Sequence, residues 1–521
     1  MRPKTIRFVL PAILLLTLLI FVGSLDNEFV HDDWPTISEN PYLQDLGNVD
    51  DFFVEPGMFA KTGTSGHTRP VLLATFALNF AFDAEPRGFR AVNLALHLLN
   101  VVLVYLFARS LLSFRERSYD APVVGLLAAA VFAVHPLNVQ AVIYISSRSV
   151  LLSFAFYLSA VLLFLRWRRL LENENRFERR SFAGLLVLTA LALLTKEHTV
   201  SIAGVLVLLE VALFQARRRN WRRLLASLAA GGIPVALLLV YRAILMGSRS
   251  AAPNAVSLMH QTAINDSFAW HLATQAKAQL VYLGMFLWPS GLAIQHTLPP
   301  VRTLADPGFL TGALVIVAAS VWALPRWWRG AVPATLVLWY FCTFAPESLV
   351  QLNMIVNEHR FYLPGLALIA GVAWGLVWIH HRVAKRTPWA GRTVTIFVCA
   401  MLLILAYRSW DYTKQWKTAC TLWEHTAGVS PGDSWTQNNA GNCRLMAGDL
   451  QGAATAYERA IEVAPDNHLA LYNLGMVRER QGRLREAIEY YERFEERAGQ
   501  GRPLTQIRMK VEMLRRRLGE S

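Results

Sequence analysis

The sequence is poor in charge and in cysteine. Only 17% of its 521 residues are charged and 54% are hydrophobic, whereas about a quarter of the residues in a soluble domain are charged. The four cysteines, Cys342, Cys399, Cys420 and Cys443, show no spacing typical of a metal site. The first two lie in apolar segments, where cysteine usually behaves as a small hydrophobic residue, and a disulfide between Cys420 and Cys443 is an open alternative.

Motifs for the commoner catalytic chemistries are also missing. The chain has no P-loop, no Rossmann glycine fingerprint, no nucleophile elbow and no H-E-x-x-H motif. Nucleotide-dependent transport and the commoner hydrolase mechanisms therefore have no support. The net charge of +14 does not call for nucleic acid as a partner, because most basic residues lie in short clusters between hydrophobic stretches, where they orient membrane spans.

A long series of apolar segments predicts an all-α, polytopic membrane helix bundle. The run from Phe8 to Val22 follows three basic residues, and it is expected to be an anchor because no A-x-A-like cleavage site follows it. With this anchor we expect about eleven spans. They cover residues 8–22, 89–112, 121–136, 150–166, 181–195, 201–215, 224–246, 309–325, 331–346, 361–380 and 393–410. The shorter stretch 71–82 predicts an interfacial helix within the lipid headgroup region.

Basic clusters predict the orientation of these spans. The N-terminus, Arg115 with Arg117, and the clusters at 166–180 and 217–223 follow alternate spans, so we expect them to be cytoplasmic. The apolar stretch 272–295 would break this alternation. We predict that it is re-entrant or interfacial, because its first half is amphipathic and Trp288-Pro289-Ser290-Gly291 breaks its second half. The count places a long first loop, residues 26–85, and the C-terminus on the extracytoplasmic side.

The last part of the chain, residues 412–521, is polar and repeats with a period of about 34 residues, which is the tetratricopeptide period. The pairs that recur are Pro431 and Pro465, Asn439 and Asn473, Gly441 and Gly475, Gly448 and Gly482, Ala453 and Ala487, and Tyr457 and Tyr491. We expect repeats at 434–467 and 468–501, a capping helix at 503–518, and a membrane domain that covers residues 1–411. Such a tail is more typical of a binding surface than of a catalyst.

Few polar residues fall on the predicted outer face. They are Asp32, Asp33, His67, Arg69, His135, Arg148, Lys196, Glu197, His198, Glu358, His359 and Arg360. The adjacent carboxylates of Asp32 and Asp33 repel each other, which can raise the pKa of one and provide a base. The alternative is a solvated loop that caps a helix. A divalent metal is a possible cofactor at this pair, although the sequence offers no clear third ligand.

The basic members of this set suit a phosphate group. Arg69, Arg148 and Arg360 have planar guanidinium groups that bind phosphate oxygens, and Lys196 would add a point charge. The alternative is that these residues anchor span ends or that neighbouring pairs neutralise each other, Lys196 with Glu197 and Arg360 with Glu358. Acidic and basic groups together suit a site where a hydroxyl is deprotonated and an anionic leaving group is stabilised.

The order of the motifs resembles that of the transmembrane and tetratricopeptide repeat-containing proteins and their bacterial relatives. The motifs are Asn27 to Trp34, Thr68-Arg69-Pro70, Asn93 to His97, Ala133 to Pro136, Lys196-Glu197, Trp288-Pro289 with Gly291-Leu292, and Glu358 to Pro364, followed by the repeats. The resemblance covers nearly the whole chain. Gln140 and Ser149-Val150 depart from the eukaryotic pattern toward the bacterial branch, so eukaryotic substrate specificity is not transferred.

The resemblance implies a membrane glycosyltransferase of the GT-C class, similar to protein O-mannosyltransferases, that takes a sugar such as mannose from a polyprenyl-phosphate donor. It implies that Asp32 or Asp33 is the catalytic base for the acceptor hydroxyl. It also implies donor contacts from the other outer motifs, which contribute Arg69, His135, Arg148, Lys196, Glu197, Glu358, His359 and Arg360.

A complete expectation of function follows from these implications. We expect an inverting enzyme in a bacterial inner membrane that modifies a hydroxyl of a protein or peptide held by the extracytoplasmic repeat domain. Two rivals remain at this point. One is a non-catalytic, membrane-anchored scaffold for envelope assembly, and the other is a lipid-linked oligosaccharide ligase or polymerase.

Overall fold

The computed structural model of the protein describes residues 3–61, 68–114, 120–215, 221–247, 267–351, 354–497 and 502–519. Every regular element in these ranges is helical, and no β-strand occurs within them. His67, Arg115, Arg117 and the basic residues of 217–220 lie outside the described residues. The chain divides into two compact units: Met1–Leu292 with Pro299–Trp416, and Ala293–Leu298 with Lys417–Ser521.

The first unit contains the apolar helices. Their bounds are α1 Pro3–Phe21, α2 Pro70–Phe82, α3 Pro86–Leu112, α4 Ala121–Val134, α5 Val139–Ile143, α6 Arg148–Asn173, α7 Arg179–Thr195, α8 Ile202–Leu209, α9 Trp221–Gly247, α10 Phe268–Leu287, α11 Pro307–Trp328, α12 Val332–Leu349, α13 Tyr362–Ala384 and α14 Pro388–Gln415. Each apolar stretch that the sequence predicts as a span therefore lies mainly in helix, and residues Glu210–Gln215 continue α8 as a π-helix.

Fewer of these helices than expected could cross a membrane unaided. Within the described residues, 7 helical segments have the length and apolar composition of a span, or 8 if one bent pair is counted as a span. The expected number of about eleven is not confirmed. Helix α4 has only 14 residues and α7 only 17, whereas about 20 residues are needed to cross the hydrocarbon core. The apolar composition of the sequence correctly indicates that these helices exist, but it does not show that they are too short to span.

The bent helix pair has its break within the motif Ala133 to Pro136. Helix α4 stops at Val134, and a segment from Pro136 to Ile143 continues at an angle of 60°. Because proline lacks an N–H and disfavours a helical conformation in the residue before it, His135-Pro136 ends the helix. The side chain of His135 is thereby turned into the interior, where it is buried.

The stretch predicted to be re-entrant or interfacial begins as a regular helix. Helix α10 continues to Leu287 and stops directly before Trp288-Pro289, as the sequence predicts. It is not among the segments with the composition of a span in the described part of the chain. After α10, residues Ala293–Leu298 join the C-terminal unit, where the main-chain carbonyl of Gln295 accepts a hydrogen bond from Ser430 Oγ at 2.9 Å.

The first outer loop is folded around a small core of its own. Phe29, Ile37, Leu43 and Phe52 are buried against residues of α2 and α3. Short helical turns connect these residues, and the buried Asn40 donates hydrogen bonds to the main chain around residue 58. Residues 29–61 of the loop therefore form a fixed structure that can hold side chains in defined positions.

The second unit is a stack of paired helices. Its helices are α15 Ala419–Val429, α16 Ser434–Met446, α17 Leu450–Val463, α18 His468–Arg480, α19 Leu484–Arg497 and α20 Arg502–Arg517. A Cβ atom placed on Gly441 would lie 2.6 Å from the ring of Tyr457, and one on Gly475 would lie 2.7 Å from the ring of Tyr491. The repeated glycines thus allow the close packing that the repeat predicts.

Helix ends and a disulfide complete this unit. Gly448 and Gly482 have positive φ angles of 80° and 76°, a conformation that terminates helices at little cost for glycine. Residues of α20 pack on the core of the second repeat, as expected of a capping helix. Cys420 and Cys443 form a disulfide that joins α15 to α16, which resolves the alternative that the sequence left open.

Candidate active site

The two adjacent carboxylates of the first outer loop differ in exposure. The Asp33 residue is 0% exposed, whereas the side chain of Asp32 is 56% exposed. The preceding residue, His31, has a φ of 51°, which is uncommon for a residue other than glycine. Such a backbone conformation persists only where the surrounding structure enforces it. The loop thus directs one carboxylate inward and presents the other to solvent.

The inward carboxylate, Asp33, is held by three hydrogen bonds. Its Oδ1 accepts from the main-chain N–H of Ser146 at 2.9 Å and from Ser146 Oγ at 2.7 Å. Its Oδ2 accepts from the N–H of Val30 at 3.3 Å. Burial raises the pKa of Asp33 to about 6, although the hydrogen bonds and the charge of Arg90 act in the opposite direction. Asp33 therefore has the contacts of a residue that positions the loop.

A buried arginine from α3 holds the same loop. Arg90 is only 2% exposed, and its Nη atoms donate to the main-chain carbonyls of Asn27 and Glu28. Its Nε donates to the carbonyl of Ile143 at 3.2 Å. The arginine thus ties the segment that precedes the acidic pair to the end of α5.

The outward carboxylate, Asp32, lies beside Tyr144. The main-chain N–H of Asp32 donates to the Tyr144 hydroxyl at 3.2 Å, and its carboxylate lies 3.5 Å from His31 Nε2. Burial, together with the charges of Asp32 and Asp33, raises the pKa of Tyr144 well above its ordinary value. The tyrosine hydroxyl therefore keeps its proton and can donate it in a hydrogen bond to the Asp32 carboxylate.

A second group of residues, which we call the cationic cluster, consists of Arg69, Lys196, Arg242 and Arg360. Arg69 and Arg242 both donate to the carboxylate of Glu197, each with an Nη2 to oxygen distance of 2.8 Å. Arg360 Nε lies 3.3 Å from Glu347 Oε2. The neutralising pairs therefore differ from the neighbouring pairs that the sequence suggested.

Lys196 is the shared neighbour within the cationic cluster. Burial lowers the pKa of Lys196 to about 8; Glu347 raises this pKa, whereas the positive charges of Arg69 and Arg360 lower it further. Its ammonium makes no hydrogen bond to any residue in the described ranges. A buried cation with open donor positions toward the described residues, near Arg69 and Arg360, can accept an anion.

Two histidines complete the surroundings of the cationic cluster. His198 and His359 both lie within electrostatic range of Lys196 and Arg69. The Nδ1 atom of each is buried and has no hydrogen-bond partner within the described part of the chain. Because buried polar atoms in native structures are normally paired, these atoms indicate a place where a polar ligand or water would bind.

Arg148 lies apart from the cationic cluster, in a fully enclosed position. It is 0% exposed, and its guanidinium donates to the side-chain oxygens of Asn93 and Asn79 at 3.0 and 2.8 Å. Further bonds reach the carbonyls of Thr75 and Phe89 at 3.1 and 3.0 Å. All three guanidinium nitrogens are engaged, so these contacts hold α2, α3 and α6 together and leave no open fork for a phosphate.

His135 and Glu358, which the sequence also predicts as contacts of the sugar donor, are buried and bonded to other protein groups. His135 Nε2 lies 3.1 Å from the carbonyl of Phe286, and its Nδ1 accepts from the N–H of Leu137 at 3.3 Å. Glu358 is buried and its carboxylate contacts the hydroxyl of Tyr412. Both residues have the surroundings of structural groups.

An aromatic path joins the acidic loop to the residues around the cationic cluster. The ring of Tyr144 lies 5.8 Å from that of Trp416, which lies 6.2 Å from that of Tyr412. Tyr412 contacts Glu358, which directly precedes His359 and Arg360. The two groups are thus linked through packed side chains of one compact unit.

Sequence reasoning missed several residues of this site. Arg90 and Arg242 lie inside predicted spans, and Glu347 directly follows another predicted span. Charged residues within such stretches are usually functional or structurally paired, and this signal could have found them. Tyr144 and Ser146 carry no comparable signal, because their role depends on contacts with a loop more than a hundred residues earlier.

The described residues contain no group of three or more His, Cys, Asp or Glu side chains arranged to hold a metal ion. The expected divalent metal at Asp32 and Asp33 therefore gains no third ligand from the described residues.

Comparison with known proteins finds similarity to one family profile and to several known proteins. A family profile described as "Tetratricopeptide repeat" matches residues 439–503, which confirms the tetratricopeptide character of this part of the chain. The chain is 22% identical to the protein O-mannosyl-transferase F38B6.6 of Caenorhabditis elegans, over 82% of this chain and 58% of that protein. It is 29% identical to the protein O-mannosyl-transferase Tmtc1 of Drosophila melanogaster, over 56% of this chain and 35% of that protein.

A third relative and one solved structure extend this comparison. The chain is 24% identical to mouse protein O-mannosyl-transferase TMTC3, over 81% of this chain and 47% of that protein. The archaeal oligosaccharyltransferase AglB from Archaeoglobus fulgidus, solved with an inhibitory peptide and a dolichol-phosphate, aligns with a TM-score of 0.47 and 14% identity over 79% of this chain and 56% of that chain. The expected resemblance to transmembrane and tetratricopeptide repeat-containing proteins is confirmed, and the chain spans about half the length of these relatives.

Proposed function

We propose that the protein is a GT-C type membrane glycosyltransferase that moves a sugar from a polyprenyl-phosphate donor to a protein hydroxyl on the extracytoplasmic face. The observation that carries this proposal is the presence of an exposed carboxylate, Asp32, and a cationic cluster in the same compact unit. The first group can take a proton, and the second can stabilise a phosphate. The names of the relatives agree with this chemistry.

Asp32 is the proposed general base. A base must come within hydrogen-bond distance of the hydroxyl that it deprotonates, and Asp32 is the exposed member of the pair. The Tyr144 hydroxyl holds Asp32 in place, because it contacts both the main-chain N–H and the carboxylate of Asp32. Asp33 is assigned as a positioning residue, because its carboxylate is enclosed and occupied by Ser146 and Val30.

The cationic cluster is the proposed site for the donor phosphate. Lys196 has open donor positions, and Arg69 and Arg360 lie near it. Arg242 is added to the predicted set because it shares Glu197 with Arg69. Positive groups already in place stabilise the charge that develops on the leaving phosphate without further reorganisation.

The proposed reaction is a single displacement. The acceptor oxygen attacks the anomeric carbon as Asp32 takes its proton, and the bond from that carbon to the phosphate oxygen breaks, leaving the polyprenyl phosphate at the cationic cluster. One displacement inverts the anomeric configuration and needs no covalent nucleophile. Arg148, His135 and Glu358 are not assigned to the donor, because their polar groups are engaged within the protein.

The repeat unit is the proposed docking surface for the acceptor. Tetratricopeptide stacks present extended surfaces to partners, and holding a peptide near the site raises its effective concentration. The disulfide between Cys420 and Cys443 supports an extracytoplasmic position for this unit, because disulfides persist in oxidising compartments. The proposed location is a bacterial inner membrane with a cytoplasmic N-terminus.

The decisive experiment compares Asp32→Asn with Asp26→Asn, a matched change at an exposed carboxylate of the same loop. Purified variants are given a polyprenyl-phosphate-linked sugar and a peptide rich in serine and threonine, and the product mass is measured. We expect Asp32→Asn to lower the rate by about 10²- to 10⁴-fold, with Asp26→Asn unaffected. A folded Asp32→Asn variant with the wild-type rate would show that the base is misassigned.

The same product mass separates the rivals. Addition of one sugar supports the proposal, whereas transfer of a preassembled chain indicates a lipid-linked oligosaccharide ligase or polymerase. A non-catalytic scaffold predicts no sugar transfer at all and an Asp32→Asn variant that still assembles its envelope partners. Glycoproteomics of cells with and without the active protein would identify the sugar and the acceptor.

A further inference from the structure

Hydrogen-bonded side-chain amides lie between the first helices of the two repeats, α16 and α18. Asn473 Nδ2 donates to Asn438 Oδ1 at 3.0 Å and to Asn442 Oδ1 at 3.1 Å. The hydroxyl of Tyr457 also donates to Asn442 Oδ1, at 2.8 Å. We call Asn438, Asn439, Asn442 and Asn473 the amide row. The bonds fix the orientation of three of its four amides.

The amide row keeps open hydrogen-bonding positions. A side-chain amide has two N–H donors and one carbonyl acceptor. Within the described part of the chain, Asn473 uses its NH2 group and leaves its Oδ1 open, whereas Asn438 and Asn442 use their Oδ1 atoms and leave their NH2 groups open. Asn439 Nδ2 is buried and has no hydrogen-bond partner among the described residues. Because buried polar atoms are normally paired, this donor indicates a place for water or a polar ligand.

The open groups of the amide row match a peptide main chain in chemistry. An asparagine side chain carries the same amide group as the main chain, and the row offers donors for a main-chain carbonyl and an acceptor for a main-chain N–H. The row itself has no charge, and the one charged residue of α16, Arg444, is already paired with Glu424. The row therefore suits a neutral amide group and not an acidic or basic side chain.

The spacing of the amide row favours an extended ligand. Asn438 and Asn442 are four positions apart on α16, which corresponds to about 6 Å along a helix. Groups on the same edge of an extended chain recur at every second residue, about 6.6 to 6.8 Å apart. Two successive carbonyls on one edge of an extended peptide can therefore reach both NH2 groups. A helical peptide cannot do so, because its own turns use these carbonyls.

We infer that the amide row binds the main chain of an extended polypeptide segment. The inference rests on the proposed function, because it names what is docked at the proposed docking surface of the repeat unit. The unit then selects acceptors by the conformation of their backbone. Unfolded or linker segments of many sequences are accepted, whereas helices and paired strands are not.

The test measures peptide binding to the purified full chain in detergent micelles. Three labelled peptides are the probes. The first is unstructured and rich in serine and threonine, the second is a scrambled version of the first, and the third is the first with alternate residues N-methylated. N-methylation removes main-chain N–H donors and keeps every side chain, so it separates recognition of the backbone from recognition of the sequence.

The informative variant is Asn442→Asp. It keeps the acceptor atom that Asn473 and Tyr457 use and replaces the open NH2 group by an oxygen. Asn439→Ala is a second variant, which removes the unpaired Nδ2 and carries the test if circular dichroism shows that Asn442→Asp is not folded. Gln451→Glu is the matched control, because it makes the same change from amide to acid at an exposed residue of α17.

We expect Asn442→Asp to weaken binding of the first two peptides by about tenfold and Asn439→Ala by about threefold, with Gln451→Glu equal to the wild type. The wild type should bind the scrambled peptide as tightly as the original and the N-methylated peptide about tenfold more weakly. Wild-type affinity in both row variants would overturn the assignment. Loss of binding on scrambling, with no loss on N-methylation, would also overturn it, because side chains would then be recognised.

Failure of the proposed function has a different signature. Peptide binding that depends on the amide row, with no sugar transferred to the bound peptide, would reject the enzyme and keep the inference. Sugar transfer and peptide binding at wild-type levels in a folded Asn442→Asp variant and in Asn439→Ala would keep the enzyme and reject the inference.

Discussion

Ser146 donates two hydrogen bonds to one oxygen of Asp33, from its main-chain N–H at 2.9 Å and from its Oγ at 2.7 Å. The two residues are separated by more than a hundred positions, and both belong to the framework beneath the acidic loop. Since Asp33 is enclosed, the adjacent Asp32 is left as the carboxylate that can meet a substrate. The orientation of the proposed base thus depends on a residue that does not react.

Stability should respond to pH through Asp33. Burial raises its pKa from 3.8 to about 6, so the folded protein binds this proton more tightly than the unfolded chain. The stabilising contribution is full below 3.8 and is lost as the pH rises through about 6. Between about pH 5 and pH 8, we expect the unfolding free energy of the wild type to fall by about 1 to 2 kcal/mol because of Asp33. The Asp33→Asn variant should lack this fall.

Denaturant unfolding in detergent at the two pH values checks this expectation. The exposed neighbour variant Asp32→Asn is the control, and it should retain the wild-type pH dependence. An Asp33→Asn profile that follows the wild type at every pH would mean that Asp33 does not titrate in this range.

Binding of a phosphate should respond to pH through Lys196. Its pKa is lowered to about 8, so its positive charge is present below that pH and is lost above it. We expect the affinity for a polyprenyl phosphate to fall by several-fold between about pH 7 and pH 9, above the second phosphate pKa of about 6. Equilibrium binding across this range measures the effect.

A Lys196→Arg variant should keep its affinity at the alkaline end, because arginine does not lose its proton there. Lys61→Gln changes an exposed lysine of the first outer loop and should leave the profile unaltered. If the affinity of Lys196→Arg falls with pH as steeply as that of the wild type, then a group other than Lys196 is responsible for the pH dependence.

Arg242 should contribute to donor binding although the sequence did not mark it. Arg242→Met removes one of the two guanidinium groups on Glu197, and we expect the Kd for a polyprenyl phosphate to rise about tenfold. The control is Arg87→Gln, a change at an exposed arginine that pairs with Asp26. Unchanged binding in Arg242→Met, with the fold intact, would restrict the cationic cluster to Lys196, Arg69 and Arg360.

The disulfide should stabilise the repeat unit and report its compartment. Its two cysteines are 23 positions apart, and closing a loop of this size stabilises a fold by about 3 kcal/mol. We expect Cys420→Ser to lower the unfolding temperature of the full protein. Cys399→Ser, at an exposed free cysteine, is the matched control.

Thiol labelling of intact cells tests the orientation separately. In Cys443→Ser, the released thiol of Cys420, which is the less buried of the two cysteines, should react with a membrane-impermeant maleimide if the unit is extracytoplasmic. Protection of this thiol in intact cells, followed by labelling after lysis, would place the unit in the cytoplasm.

Much of the helical fold could be predicted from the sequence, because apolar periodicity and the repeat spacing are local properties. The α10 stop before Trp288-Pro289 and the glycine positions at 441 and 475 are examples. The number of spans could not be predicted in the same way, since α4 and α7 are apolar but too short to cross a bilayer unaided.

The candidate site was only partly predictable for a related reason. The sequence indicates which charged residues lie near one face, but it does not give their partners. The sequence predicts Arg148 and Arg69 alike as contacts of the donor phosphate. In the fold, Asn79 and Asn93 enclose Arg148, whereas Arg69 lies near Lys196. Likewise, nothing local distinguishes Asp32 from Asp33, because the difference arises from the His31 backbone and the distant Ser146.

Arg90 holds the acidic loop through main-chain carbonyls alone, those of Asn27, Glu28 and Ile143. A carbonyl is present whatever side chain the residue carries. These attachments therefore do not depend on the side chains at positions 27 and 28, whereas a change at Arg90 removes all three at once.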